Sequence, residues 1–141
     1  MSDATHSCEE FAGFFDNVRQ GRLAFPRCEA CAQFHWYPMP RCPHCQSHRI
    51  AWSPVSGRGE IFSLTEVRHA FDKSRRESLP YIVALLTFPD APGVRLITNI
   101  VRAEYAGLRI GDPVEAIYPA DASVSPIVLF TPARRARGEA T

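Results

Sequence analysis

The chain has 141 residues, enough for one domain that buries roughly two-thirds of the surface its unfolded form exposes. Hydrophobic residues make up 45% and charged residues 22%, an ordinary globular composition that excludes a wholly disordered or membrane-embedded chain. With 16 basic against 15 acidic residues the formal net charge is +1, so no whole-chain field draws in a polyanion.

Residues 1–10 show no basic segment followed by an apolar stretch, and no run approaches the ~20 apolar residues of a membrane span. The expected location is a reducing cytoplasm, with no membrane partner, where clustered cysteines more often hold metal than form disulfides. Ser7 and Glu10 form a capping box, and Phe11, Phe14, Phe15 and Val18 then recur at helical spacing until Gly21. This spacing predicts an amphipathic helix of about three turns with an aromatic stripe.

Over residues 22–53 the composition changes to four cysteines, three histidines and four prolines, with no helical period. Cys28-Glu29-Ala30-Cys31 and Cys42-Pro43-His44-Cys45 are two C-x-x-C pairs separated by ten residues. Tetrahedral zinc takes four donors, about 2.3 Å away for sulfur, and each pair supplies two corners from one tight turn. A short hairpin through Phe34-His35-Trp36-Tyr37 is expected to join the turns. Pro43 presets the backbone after a ligand, and Arg27 and Arg41 each precede a cysteine where they offset thiolate charge. Four thiolates leave no exchangeable position, so one structural Zn(2+) per chain is expected rather than a catalytic metal. His35, His44 and His48 are then surface or packing residues, and iron is the rival ion, since rubredoxin-like sites use the same donors.

Beyond the cysteines come five candidate strands, at residues 59–68, 81–88, 94–101, 113–118 and 127–130. Pro89-Asp90-Ala91-Pro92-Gly93 reads as a hairpin loop, and residues 103–108 leave room for one helical turn between the third and fourth strands. Five strands with that insertion follow the order of an OB-fold barrel. The expected fold is mostly β: a helical segment at 1–24, a rubredoxin-like zinc ribbon at 25–53, a five-stranded OB-fold barrel at 54–132 and a mobile tail at 133–141.

Six pieces then occur in a telling order: the aromatic helix ending in Gly21-Arg22-Leu23, the cysteine pairs, Gly57-Arg58-Gly59-Glu60-Ile61-Phe62-Ser63, Pro80-Tyr81-Ile82-Val83-Ala84, Leu96-Ile97-Thr98-Asn99-Ile100, and Ile110-Gly111-Asp112-Pro113-Val114. Over residues 14–132 the chain resembles the acyl-CoA-associated zinc-ribbon and OB-fold family, once known only as a domain of unknown function. It departs from the pattern at Ala32, where glycine commonly follows the second cysteine. Members of that family are small partners of thiolase-like enzymes, including ketothiolases, steroid side-chain aldolases and polyketide acyltransferases. The resemblance implies a non-catalytic accessory subunit in a hetero-oligomer, which stabilises a thiolase-like protein and helps form its acyl-CoA channel.

The residues agree on one point: no catalytic triad, P-loop, dinucleotide fingerprint or carboxylate pair with an evident role is present. Phe71, Lys73, Arg75 and Arg76, in the loop between the first two barrel strands, are candidate contacts for a coenzyme A ester in the assembled complex. Phe11, Phe14, Phe15, Trp36 and Tyr37 are candidate partner contacts, since aromatic residues anchor interfaces. Two other readings stand beside this one. A nucleic-acid-binding module would need a basic groove with exposed aromatics, which the balanced barrel sequence lacks, so no nucleic-acid partner is expected. A rubredoxin-like electron carrier would hold iron.

Overall fold

The computed structural model describes residues 9–69, 73, 79–119 and 128–133. Ser7 lies outside these. The helical segment opens as a 3-10 turn, Glu9–Phe11, and continues as α1 (Ala12–Arg19) with Phe11 at its N-cap and no side-chain cap bond. Its eight α-helical residues make about two turns, shorter than the three expected. Gly21, at φ 74°, ends it as expected, donating its N–H to the Val18 carbonyl at 2.9 Å.

β1 (Leu23–Cys28) and β2 (Ile50–Val55) form an antiparallel pair in which Leu23 faces Val55 and Cys28 faces Ile50. The hairpin expected through residues 34–37 is replaced by a single bridge between Arg27 and Phe34, and the His35 N–H donates to the Pro26 carbonyl at 3.1 Å. Pro38, Pro40 and Pro43 have no N–H to give, so the segment cannot continue as a ladder and runs on as loop.

The five remaining strands close into a barrel: β3 (Arg58–Val67), β4 (Tyr81–Thr87), β5 (Arg95–Ile100), β6 (Pro113–Ile117) and β7 (Leu129–Pro132). Their order is β3-β4-β5-β7-β6, with β6 returning to β3. Every pairing is antiparallel except β5 with β7, and a 3-10 turn, Tyr105–Gly107, separates β5 from β6. This is the OB-fold arrangement that the spacing predicts. The first four strands end within two residues of expectation, whereas the fifth starts two residues late.

β4 shows how the barrel fills: Ile82, Ala84 and Leu86 are buried, alternating with half-exposed neighbours as a strand of period two requires. Its inward residues join Ile61, Val114 and Phe130. The core does not stop at the barrel wall. Phe25 of β1, fully buried, lies 5.0 Å ring to ring from Phe88 and 6.4 Å from Phe14 of α1, so helix, ribbon sheet and barrel share one apolar cluster. Truncating such a ring to alanine costs about 3–5 kcal/mol, and here the loss would fall on the junction of all three parts.

Candidate functional site

The two cysteine turns are built alike. In the first, the Cys28 N–H donates to the Gln33 carbonyl and the Ala32 N–H to the Cys28 carbonyl, at 2.9 and 2.8 Å. In the second, the Cys42 N–H donates to the Ser47 carbonyl and the Gln46 N–H to the Cys42 carbonyl, at 2.8 and 2.9 Å. Each turn closes on a residue in the left-handed region, Ala32 at φ 65° and Gln46 at φ 68°. That conformation is where a glycine would sit without strain, which explains the physical meaning of the Ala32 departure.

These turns bring the sulfurs of Cys28, Cys31, Cys42 and Cys45 within 4.8 Å of one another. Cys28 and Cys45 are 3.6 Å apart, and Cys31 and Cys42 are 3.7 Å apart. Four sulfurs about 2.3 Å from a tetrahedral centre would be separated by about 3.8 Å, so the donor set fits zinc. The protein already supplies support around the sulfurs: the His44 N–H donates to Sγ of Cys42 at 3.3 Å. The Cys31 amide N–H, the largest influence, helps hold the Cys28 thiol down at about 6. At Cys45 the Ser47 amide pulls downward, but burial and the neighbouring sulfurs outweigh it and push that thiol up to about 12. Thiolate charge is thus concentrated unevenly in the cluster, and a dication would release the remaining protons.

Arg27 donates to the Ala32 carbonyl at 3.1 Å and lies over the Phe34 ring, while Arg41 bonds the His48 ring nitrogen at 3.1 Å. His44 and His48 are exposed. His35 is buried, and neither of its ring nitrogens has a hydrogen-bond partner among the described residues. Burial, and to a lesser degree the charge of His44, lowers its pKa.

The aromatic stripe continues from the helix onto the ribbon. Phe11 packs edge-on to Trp36 at 5.7 Å and lies 6.0 Å from Tyr37, while Phe14 sits 5.7 Å from Phe15 and 5.2 Å from Trp36. The five candidate partner residues are therefore one cluster, but not one surface. Phe14 is 7% exposed and belongs to the core, because its ring faces Phe25. Phe11, Phe15 and Trp36 are half-buried, and Tyr37 is 58% exposed.

Of the candidate coenzyme A contacts, Lys73 is exposed, and Phe71, Arg75 and Arg76 lie outside the described residues. A feature with no counterpart in the sequence reading is a hollow of about 410 Å³ at one rim of the barrel, lined by Pro80, Tyr81, Ile82, Asn99, Arg102 and Leu129 among others. Its residues come from three stretches of chain, and no local motif unites them.

Family models match both parts: the ChsH2 rubredoxin-like zinc ribbon domain over residues 15–51 and the ChsH2 C-terminal OB-fold domain over residues 52–118. A probable enoyl-CoA hydratase alpha subunit of Thermomonospora curvata is 35% identical over 107 residues, covering 73% of this chain and 31% of that protein. A DUF35 domain-containing scaffold protein of Methanothermobacter thermautotrophicus is 26% identical over 97 residues, covering 68% of this chain and 71% of that one. Among solved structures, a chain of the Ltp2-ChsH2(DUF35) aldolase superposes with a TM-score of 0.72 at 30% identity, over 87% of this chain and 94% of its own length. This chain thus spans less than a third of the hydratase subunit but nearly all of the chain from the aldolase.

Proposed function

The chain belongs to the ChsH2 zinc-ribbon and OB-fold family, also known as DUF35, and from that premise we propose that it is a non-catalytic accessory subunit of a thiolase-like acyl-CoA enzyme. The partner would be a ketothiolase, aldolase or acyltransferase. The observation that carries this reading is the match along 94% of a chain from an aldolase assembly, with the hydratase alpha subunit and the scaffold protein as further members of enzyme complexes or scaffolds.

The chemistry of the site supports it. Cys28, Cys31, Cys42 and Cys45 would hold one zinc ion whose four positions are all taken by sulfur, so the ion would supply folding free energy and no Lewis-acid chemistry. Acyl transfer of this class needs a nucleophile, a base within reach and donors for the developing oxyanion. Among the described residues the only thiols are these four cysteines, and they are gathered into one cluster. The partner supplies the nucleophile. This chain supplies a rigid zinc-bound ribbon, an aromatic cluster around Phe11, Phe15, Trp36 and Tyr37 as docking surface, and one wall of the acyl-CoA channel.

The nucleic-acid reading is weakened by the barrel surface. OB-folds bind strands of nucleic acid over the face of their second and third strands, here β4 and β5, using aromatics and cations. That outer face carries Val83, Leu85 and Ile97, with Ile97 61% exposed, and the ring beside it, Phe62 of β3, is already covered by the Arg95 guanidinium at 4.2 Å.

Purifying the tagged chain from its native source and identifying its companions by mass spectrometry tests the proposal. A thiolase-fold protein at fixed stoichiometry, with acyl-CoA turnover by the pair and none by the chain alone, is the expected result. Robust turnover by the isolated chain overturns it, as does a nucleic acid as the sole companion.

A further inference from the structure

The structure assigns Cys45 as the chain's site of oxidation by hydroperoxides, with Cys28 as its disulfide partner. The chemistry rests on the cysteine cluster alone and not on the accessory-subunit reading.

The four sulfurs do not meet solvent equally. Cys28 and Cys42 are fully buried, Cys31 is half-buried and Cys45 is exposed. Pro43, His44 and Gln46 around it are exposed as well, so a small polar oxidant reaches this corner of the cluster without any part of the fold opening. Metal ligation keeps a cysteine as its thiolate, the nucleophilic form, and zinc at this donor set would hold Cys45 in that form at neutral pH. Susceptibility to peroxide follows thiolate character and exposure together, and Cys45 is the most exposed of the four.

Distance selects the disulfide partner. Cys28 lies 3.6 Å from Cys45 and Cys42 lies 3.7 Å from Cys31, so each contact joins a buried sulfur to a more open one across the two turns. A disulfide requires about 2.05 Å, so the first pair must close by roughly 1.5 Å. That adjustment falls on Cys45. Cys28 ends β1 with its N–H tied to the Gln33 carbonyl at 2.9 Å, whereas Cys45 sits on the exposed side of the second turn. Cys42, the other sulfur of the same motif, packs instead against Cys31 and accepts the His44 N–H at 3.3 Å.

Attack of the Cys45 thiolate on hydrogen peroxide forms an S–O bond and breaks the O–O bond, giving a sulfenic acid and hydroxide. The Cys28 thiolate then attacks that sulfur, forming the S–S bond, breaking the S–O bond and expelling a second hydroxide. Two thiolates lose two electrons, peroxide gains them, and both hydroxides take protons from solvent to become water. Cys31 and Cys42 remain, too few donors to close a tetrahedral structural site, so each such event releases one zinc. Residues 34–37 lie between the two turns and carry Trp36 and Tyr37. Loss of the metal therefore frees the segment that bears the aromatic cluster, and any control of docking that follows rests on the accessory-subunit reading.

The test is hydrogen peroxide treatment of the zinc-loaded chain in a Cys8→Ser background, which removes the fifth cysteine. Released zinc is followed with a chromogenic chelator, and disulfides are mapped by mass spectrometry of a non-reduced digest. The expected first product at limiting peroxide is a Cys28–Cys45 link, formed in step with zinc release. Cys45→His keeps four donors, because imidazole also ligates zinc, and puts no oxidisable sulfur at the open corner. It should release zinc about tenfold more slowly, whereas Cys31→His, the same exchange at the half-buried corner, should stay within about threefold of the parent rate. If either histidine variant fails to load zinc, the disulfide mapped in the parent chain decides alone. A first disulfide within either C-x-x-C motif overturns the inference, and so does equal slowing by the two histidine variants. Retention of zinc by the parent chain, under peroxide that oxidises the thiols of the metal-free chain, overturns it as well. Every readout uses this chain alone, so failure leaves the accessory-subunit reading to be judged by co-purification.

Discussion

Gly13 of α1 lies so close to the indole of Trp52 on β2 that a β-carbon there would overlap Nε1, Cε2 and Cδ1 of the ring. The helix is thereby set against the ribbon sheet backbone to ring. In an open helix Gly→Ala would stabilise by about 1 kcal/mol. Here overpacking against a rigid, half-buried indole costs about 1–3 kcal/mol and reverses the sign. Gly13→Ala should lower the melting temperature by a few degrees, and a rise measured by circular dichroism would show that the indole has room to move.

The opposite outcome is expected at the cysteine turns. Ala32 and Gln46 occupy the left-handed region at φ 65° and 68°, where a side chain costs about 1 kcal/mol or more. Glycine removes that strain but gives the unfolded chain more freedom, worth about 0.4–1 kcal/mol in the other direction. Ala32→Gly and Gln46→Gly should each be neutral to slightly stabilising in the zinc-loaded protein. A loss above about 1 kcal/mol in denaturant melts would mean that their side chains make contacts that outweigh the strain.

The ribbon and barrel were legible because their signals are local. The C-x-x-C spacing specifies a turn, Gly21 specifies a stop, and the alternation of Ile82, Ala84 and Leu86 specifies a strand with one buried face. What was not legible depends on distant partners. Phe14 and Phe15 are adjacent on one aromatic stripe, yet Phe14 is buried because Phe25 and Trp36 come to meet it, and nothing in the periodicity distinguishes the two. The hairpin expected at residues 34–37 failed to form because the proline positions bore on pairing more than the aromatic content did. The hollow at the barrel rim joins residues from β4, β5 and β7, which lie far apart in the chain and share no local motif.

One zinc per chain is expected by metal analysis, and Cys42→Ala should lose it. Cys42 is fully buried and sits 3.7 Å from Cys31, so its removal opens the tetrahedron at its inner side. Structural zinc contributes on the order of 10 kcal/mol to folding in isolated finger peptides, so the ribbon should unfold locally and take the shared Phe25 junction with it. Stoichiometric iron in the purified protein would refute the zinc assignment, and full metal content with unchanged melting in the variant would remove Cys42 from the ligand set.

His35 makes stability depend on pH. Its ring is buried without a hydrogen-bond partner among the described residues, and burial lowers its pKa below the ordinary histidine value of 6.5. As pH falls through about 6.5 the unfolded chain takes up the proton first, so stability is fully present above that value and is lost below it. The thiolates of the metal site add their own loss on acidification, so the comparison is between the parent chain and His35→Phe. The variant should lose less melting temperature between about pH 7.5 and about pH 5.5. Parallel curves would show that the imidazole does not remain neutral in the fold.

The aromatic cluster separates folding from association residue by residue. Phe14, at 7% exposure, touches Phe15, Phe25 and Trp36, so Phe14→Asp places a carboxylate in the core and should abolish the melting transition. Tyr37, at 58% exposure, packs one side on Phe11 and Trp36 and presents the rest to solvent. Tyr37→Asp should melt within about 2 °C of the parent chain, as exposed substitutions usually do, because little of the ring is removed from water. If the cluster is the docking surface, the same variant should fail to co-purify with the partner enzyme, since an exposed ring at the centre of an interface often carries 2 kcal/mol or more, a roughly thirtyfold loss of affinity. Melting and pull-down on one preparation decide between the roles. A Tyr37→Asp chain that folds and still binds its partner at full strength moves the docking surface away from the ribbon.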